Sequence, residues 1–196
     1  SNADSLGGGI YCASIGSRSC SPTIARVTFS GNKASSGGGM YSLGYLNSTS
    51  SPMLTNVTFT GNSASGSGGG MYNRGDSGGV SSPVLTNVTF SGNSASSSGG
   101  GVFSFAFSNG VSSPVLTNVT FAGNQAVTNG GAMYSYTFAN GISSPQLVNV
   151  VMWGDNAPTG PEIAGGTPTI SYSDIDQDGI TGVGNFRADP LLSGLA

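Results

Sequence analysis

Histidine is absent, and charge of either sign is scarce: 5 Lys plus Arg and 8 Asp plus Glu in 196 residues, a formal net charge of -3. Without an imidazole no Cys–His catalytic pair can form. Arg18, Arg26, Lys33, Arg74 and Arg187 fall at unlike positions, so there is no basic face, and nucleic acid is excluded as a partner. No apolar run approaches the roughly 18 residues of a membrane span. Helical periodicity is missing too. Gly, Ser, Thr and Asn dominate, with Val, Ile, Thr, Phe and Tyr in the ordered parts, which favours strands.

What is present is repetition. Ser51–Asn62 returns at Ser82–Asn93 and Ser113–Asn124, with a divergent copy at Ser21–Asn32 and worn copies at Ser144–Asn156 and Pro168–Ile175. The repeat prolines Pro22, Pro52, Pro83, Pro114, Pro145 and Pro168 are spaced 30, 31, 31, 31 and 23 apart. A fixed period in this range implies a solenoid or an array. Each repeat reads as three short strands, in the third full copy Val84–Thr86, Val88–Ser91 and Gly100–Phe107. Asn87 and Gly92-Asn93 then sit at corners that need left-handed backbone. The expected fold is all-β: a right-handed parallel β-helix of five to six coils.

Strand alternation places Leu85, Val88 and Phe90 inward. The expected stacks are Ile24, Leu54, Leu85, Leu116, Leu147, Ile170; then Val27, Val57, Val88, Val119, Val150; then Phe29, Phe59, Phe90, Phe121, ending in Trp153. Asn32, Asn62, Asn93, Asn124 and Asn156 form one amide column. Asn56, Asn87, Asn118 and Asn149 form a second, with Arg26 and Tyr172 at its ends. Such columns bond to one another and to corner backbone, a structural reading set against an amide-lined ligand groove.

Phe29-Ser-Gly-Asn32, Phe59-Thr-Gly-Asn62, Phe90-Ser-Gly-Asn93 and Phe121-Ala-Gly-Asn124, paired with Gly-Gly-Gly or Gly-Gly-Ala and an apolar residue, resemble the repeats of chlamydial polymorphic outer-membrane proteins and related bacterial β-helix proteins. The end, Ile170–Ile175 through Gly184–Leu191, looks like the last coil of secreted pectin-lyase-like proteins. The resemblance implies a fold more than an activity, since it includes adhesins, surface proteins and polysaccharide-cleaving enzymes. The expected role is a non-enzymatic, adhesin-like stalk, extracellular or on the bacterial cell surface. The alternative is a lyase or glycoside hydrolase on an acidic polysaccharide. Ser1-Asn2-Ala3 looks like the scar of a cleaved tag, and residues 4–196 read as one β-helix domain, a fragment of a larger surface protein.

Cys12 and Cys20 read as a disulfide closing the first coil, against the alternative of two space-filling thiols. Outside the tail, Asp4, Asp76, Asp155 and Glu162 share no register, and Asp76 with Arg74 reads as an exposed pair. Asp174, Asp176 and Asp178 have the opening spacing of an EF-hand loop, but the twelfth position is Asn185. They read as a structural calcium site or, alternatively, a solvated turn, with Asp174 facing away from the core.

Seven or eight extra residues follow each glycine strand, at Ser42–Ser51, Asn73–Ser82, Ser104–Ser113 and Ser135–Ser144. Insertions at one register project from one face. With Val102 and Met133 inward, parity turns Phe103, Phe105, Phe107 and Tyr134, Tyr136, Phe138 outward, and Tyr41, Tyr45 and Tyr72 extend the stripe. Tyr41, Tyr72, Phe103, Phe105, Tyr134 and Tyr136 are the candidate ligand-binding residues, suited to carbohydrate or a host or cell-surface protein. The other reading is that these strands pack over one another.

Overall fold

The computed structural model describes residues 5–192; the reading of residues 1–3 lies outside them. Among the described residues all regular structure is β and the strand pairings are parallel. The chain winds as a parallel β-helix whose coils form three sheets. The first contains Ile10–Ile15, Met40–Tyr45, Met71–Asp76, Val102–Phe107, Met133–Phe138 and Ile163–Gly165. The second is built on the eight-residue strands Met53–Thr60, Val84–Ser91, Val115–Ala122 and Gln146–Trp153. The third holds only Lys33–Ala34, Ser63–Ala64, Ser94–Ala95 and Gln125–Ala126.

Three strands per coil is the expected number, but they are divided differently. Val84–Thr86 and Val88–Ser91 are one strand bent at Asn87, which has φ 54°. Asn56, Asn118 and Asn149 make the same bend at φ 55°, 55° and 54°. Asn tolerates the left-handed region better than other side chains, which explains its recurrence there. Ser94–Ala95 and its counterparts escaped the sequence reading, because two small residues carry no alternation.

The core follows the expected parity. Leu54, Leu85, Leu116 and Leu147 are buried in one column, and Val57, Val88, Val119 and Val150 in the next. Phe29, Phe59, Phe90 and Phe121 stack at centroid separations of 4.7, 4.8 and 4.9 Å. Each buried ring contributes roughly 1.5–3 kcal/mol. Two expectations fail. Val27 is 37% exposed, because no described coil stacks beneath its corner. The Phe column ends in Met152, which pairs with Phe121, while Trp153 pairs with Ala122 and is only half-buried.

The same one-residue slip affects the first Asn column. Asp155, not Asn156, receives the amide of Asn124, at 2.7 Å. Inside the column, Asn62 Nδ2 donates to Asn93 Oδ1 at 2.9 Å and to the Phe29 carbonyl at 2.9 Å, and Asn93 repeats the pattern with Asn124 and Phe59. The second column runs along the outside: Asn87, Asn118 and Asn149 each donate to the Asn of the preceding coil at 3.1, 3.0 and 2.7 Å.

The glycine run has a steric cause. A Cβ on Gly39, Gly70 or Gly101 would lie 2.7, 2.8 or 2.8 Å from the ring of Phe59, Phe90 or Phe121. At the next equivalent position the residue is Ala132, and there the Phe column has already given way to Met152.

The insertions are not projecting loops. Each extends its first-sheet strand, turns, and returns alongside the strands of its own and the preceding coil, with Thr49, Val80, Val111 and Ile142 bridged in parallel. A Cβ on Gly44 or Gly75 would lie 2.1 or 2.0 Å from the carbonyl of Val80 or Val111, so backbone presses on backbone. The result is a flat arm that widens the first sheet. Its interior is a seam of buried polar side chains, including Ser42, Ser50, Asn73, Ser81, Ser104, Ser112, Ser135 and Ser143.

Candidate binding face

Because Met40, Met71, Val102 and Met133 point inward, the next residue in each strand faces out. Register then lines up three outer rows. Tyr11, Tyr41, Tyr72, Phe103 and Tyr134 form the first; Leu43, Arg74, Phe105 and Tyr136 the second; Ile15, Tyr45, Asp76, Phe107 and Phe138 the third. Six of the chain's 7 Tyr and four of its 9 Phe thus lie on one outer face.

The first row stacks at 5.6, 4.9, 4.8 and 5.5 Å. Its central rings cover one another, leaving Tyr41, Tyr72 and Phe103 only 3%, 9% and 7% exposed, with Leu43, Phe105 and Tyr134 packed against them. Tyr136 and Phe138 are 43% and 59% exposed, since the last strand, Ile163–Gly165, pairs only with residues 133–135. The six candidate residues therefore share one face, three buried within the stack and the others nearer its surface.

Arg74 lies 5.5 Å from the centroid of Phe105. Its Nε and Nη2 donate to Asp76 Oδ2 at 3.1 and 2.5 Å, and Ser77 donates to the other oxygen at 2.9 Å. Asp76 is buried, so the pair is not the exposed one expected. Burial pushes the Tyr41 and Tyr72 hydroxyls above their ordinary pKa, so both stay neutral hydrogen-bonding groups.

Cys12 and Cys20 are joined by a disulfide with a Cα–Cα distance of 5.7 Å. In the tail, Arg187 donates to Asp176 and Asp178 at 2.7 and 2.6 Å. A cation between these two carboxylates would have to displace the guanidinium. Asp174 turns elsewhere and accepts the Ala188 amide at 3.0 Å. It holds the outward Thr register of the repeat, as expected, with Ile175 turned to the core, but the closing segment covers it, so it is buried and bridged to Phe186. Among the described residues, no three His, Cys, Asp or Glu side chains group as metal ligands.

Asp155 and Glu162, absent from the sequence candidates, meet as a buried acidic pair. Asp155 takes the Asn register of its column, where an acid was not expected, and Glu162 lies outside the repeat pattern. A trough over the third sheet, lined by Ser94, Gln125, Val127, Asn156 and Pro158 among others, has no charged side chain. No helix among the described residues is long and apolar enough to cross a membrane.

Coil stacking, the Phe column and the glycine run define the class: a parallel β-helix built from tandem repeats. Residues 56–79 and 87–104 match the family model described as the Chlamydia polymorphic membrane protein (Chlamydia_PMP) repeat. The chain is thus a β-helix protein whose repeats are like those of chlamydial polymorphic outer-membrane proteins. Both matched segments start at a corner Asn and run through Phe-x-Gly-Asn into the glycine strand. Comparisons with curated proteins and with solved structures each gave no match.

Proposed function

We propose that this chain is a non-enzymatic, adhesin-like stalk displayed at a bacterial cell surface or outside the cell, and that the aromatic outer face of the first sheet is its contact surface. The gathering of ten aromatic side chains on that face carries the reading. Tyr41, Tyr72 and Phe103 form a second, outer cluster separate from the inner Leu, Val and Phe columns, and the rings around them stand nearer the surface. Aromatic faces stack on sugar rings and anchor protein partners, and Arg74 and Asp76 add polar groups among them. The repeat match supports a surface-associated passenger.

One grouping the rival, cleavage of an acidic polysaccharide, could use is Arg187 with Asp176 and Asp178. Hydrogen bonding to Asp176, more than any other influence, raises the Arg187 pKa, the opposite of what a base needs. The test uses a glycan array, cell layers and a turnover assay on pectin and alginate with and without calcium. The expected result is specific binding that Phe105→Ala with Tyr136→Ala abolishes, and no cleavage. Absence of binding by the unaltered protein, or calcium-dependent turnover, sinks the proposal.

A further inference from the structure

The interior Asn column ends in an acid. Asn124 donates both its backbone N–H and its Nδ2 to Asp155 Oδ1, at 2.6 and 2.7 Å. Asp155 in turn donates its own N–H to Glu162 Oε1 at 3.3 Å, which brings the two acidic side chains together. Both are almost wholly buried, and Asp155 Oδ2 and Glu162 Oε2 have no hydrogen-bond partner. Two bare carboxylates here would leave neighbouring like charges out of water, whereas one proton held by the pair removes a charge and supplies a donor.

The pair sits where three pieces of chain meet. Asp155 ends the fifth coil's second sheet. The Glu162 carbonyl accepts Ala132 and Met133 N–H groups, seating the last strand on the first sheet. Gln177 Oε1 then accepts the N–H groups of Glu162 and Ile163 at 3.1 and 3.0 Å, fastening the closing segment over them. We propose that Asp155 and Glu162 share a single proton and act as a pH-sensitive latch holding the last coil, residues 163–175, on the stack.

The surroundings favour the protonated pair. Asn124 faces it from the neighbouring coil and Asp176 acts on Glu162 from the closing segment, while no basic side chain contributes at either carboxyl. Arg187 is engaged by Asp176 and Asp178 on the exposed side. Burial, before the charge of its partner, pushes Glu162 up from 4.5, and burial also raises Asp155 from 3.8. Pair members raised in the folded state contribute stability that is complete below their unfolded pKa values. It is lost as pH climbs toward the raised values. The latch therefore holds in acid and loosens through neutral into alkaline pH, the reverse of ordinary carboxylate-driven acid denaturation.

The experiment follows opening of residues 163–175 in the whole chain, by hydrogen exchange corrected for intrinsic rates, between about pH 6 and pH 9. The unaltered protein should show an opening constant that rises with pH, by up to about tenfold per unit for one proton. Glu162→Gln keeps a donor facing Asp155 without a titrating proton, and Asp155→Asn restores an amide to the column. Glu162→Gln should flatten the rise to under about twofold across the range. Asp155→Asn leaves Glu162 buried but without a charged partner, so its rise should level off at a lower pH than in the unaltered protein. If one variant does not fold, the other decides. A flat profile in the unaltered protein, or an unchanged profile in a folded variant, overturns the latch.

Discussion

Two stacks of aromatic rings run along this molecule, one inside the β-helix and one outside. Both follow the coil repeat, but inner rings sit 4.7–4.9 Å apart and those of the first outer row 4.8–5.6 Å. Their compositions differ. The inner column is Phe, Phe, Phe, Phe and then Met, with neighbouring rings within 6–11° of parallel. The outer rows mix Tyr, Phe, Leu, Arg, Asp and Ile, and the Tyr72–Phe103 planes are 47° apart. A Phe pressed between two coils and against a glycine has a volume set on every side. The rim rings of the outer stack, Tyr136 and Phe138, are bounded by their neighbours and by water, so sequence is freer to change there. The inner stack is what holds the coils together, and the outer one is where chemistry can be varied.

The sharpest break in that comparison should come from Phe90→Ala. It opens a cavity between two fully buried rings and should lower stability by about 3–5 kcal/mol, read from denaturant midpoints. A loss below about 1 kcal/mol would mean that the inner column is not the main support.

A smaller effect tests the glycine match. Gly70→Ala forces a methyl against both the Gly101 carbonyl and the Phe90 ring and should cost about 1–3 kcal/mol. Phe90→Met in the same chain should return part of that loss, reproducing the natural pair Ala132 and Met152. Additive losses in the double variant would show that the two positions are not coupled.

Much of this division was readable beforehand. Identical apolar residues at a 31-residue spacing carry their own register, so Leu85, Val88 and Phe90 thread without ambiguity. The outward direction of Phe103 and Tyr134 followed from Met and Val parity. The fifth coil was misread by one residue because Trp153 and Asn156 look like the missing Phe and Asn, while Met152 and Asp155 occupy those places. The burial of Tyr41 and Tyr72 was hidden for another reason: it depends on rings from adjacent coils covering one another, which alternation does not report. The arms also escaped, because Gly44 meeting Val80 is a backbone contact between residues with no side-chain pattern.

The gentlest substitutions ask the most of the functional half. Tyr136 and Phe138 are the exposed rim of the outer stack, so Tyr136→Ala with Phe138→Ala should shift the melting temperature by no more than about 4 °C. The most direct measurement takes melting and adherence from the same preparation of this double variant. The account predicts a near-native melt with binding to glycans or cell layers reduced by at least about tenfold, as expected when interface anchors are lost. Binding equal to that of the unaltered protein, at an equally unchanged melt, would contradict a contact surface on this face.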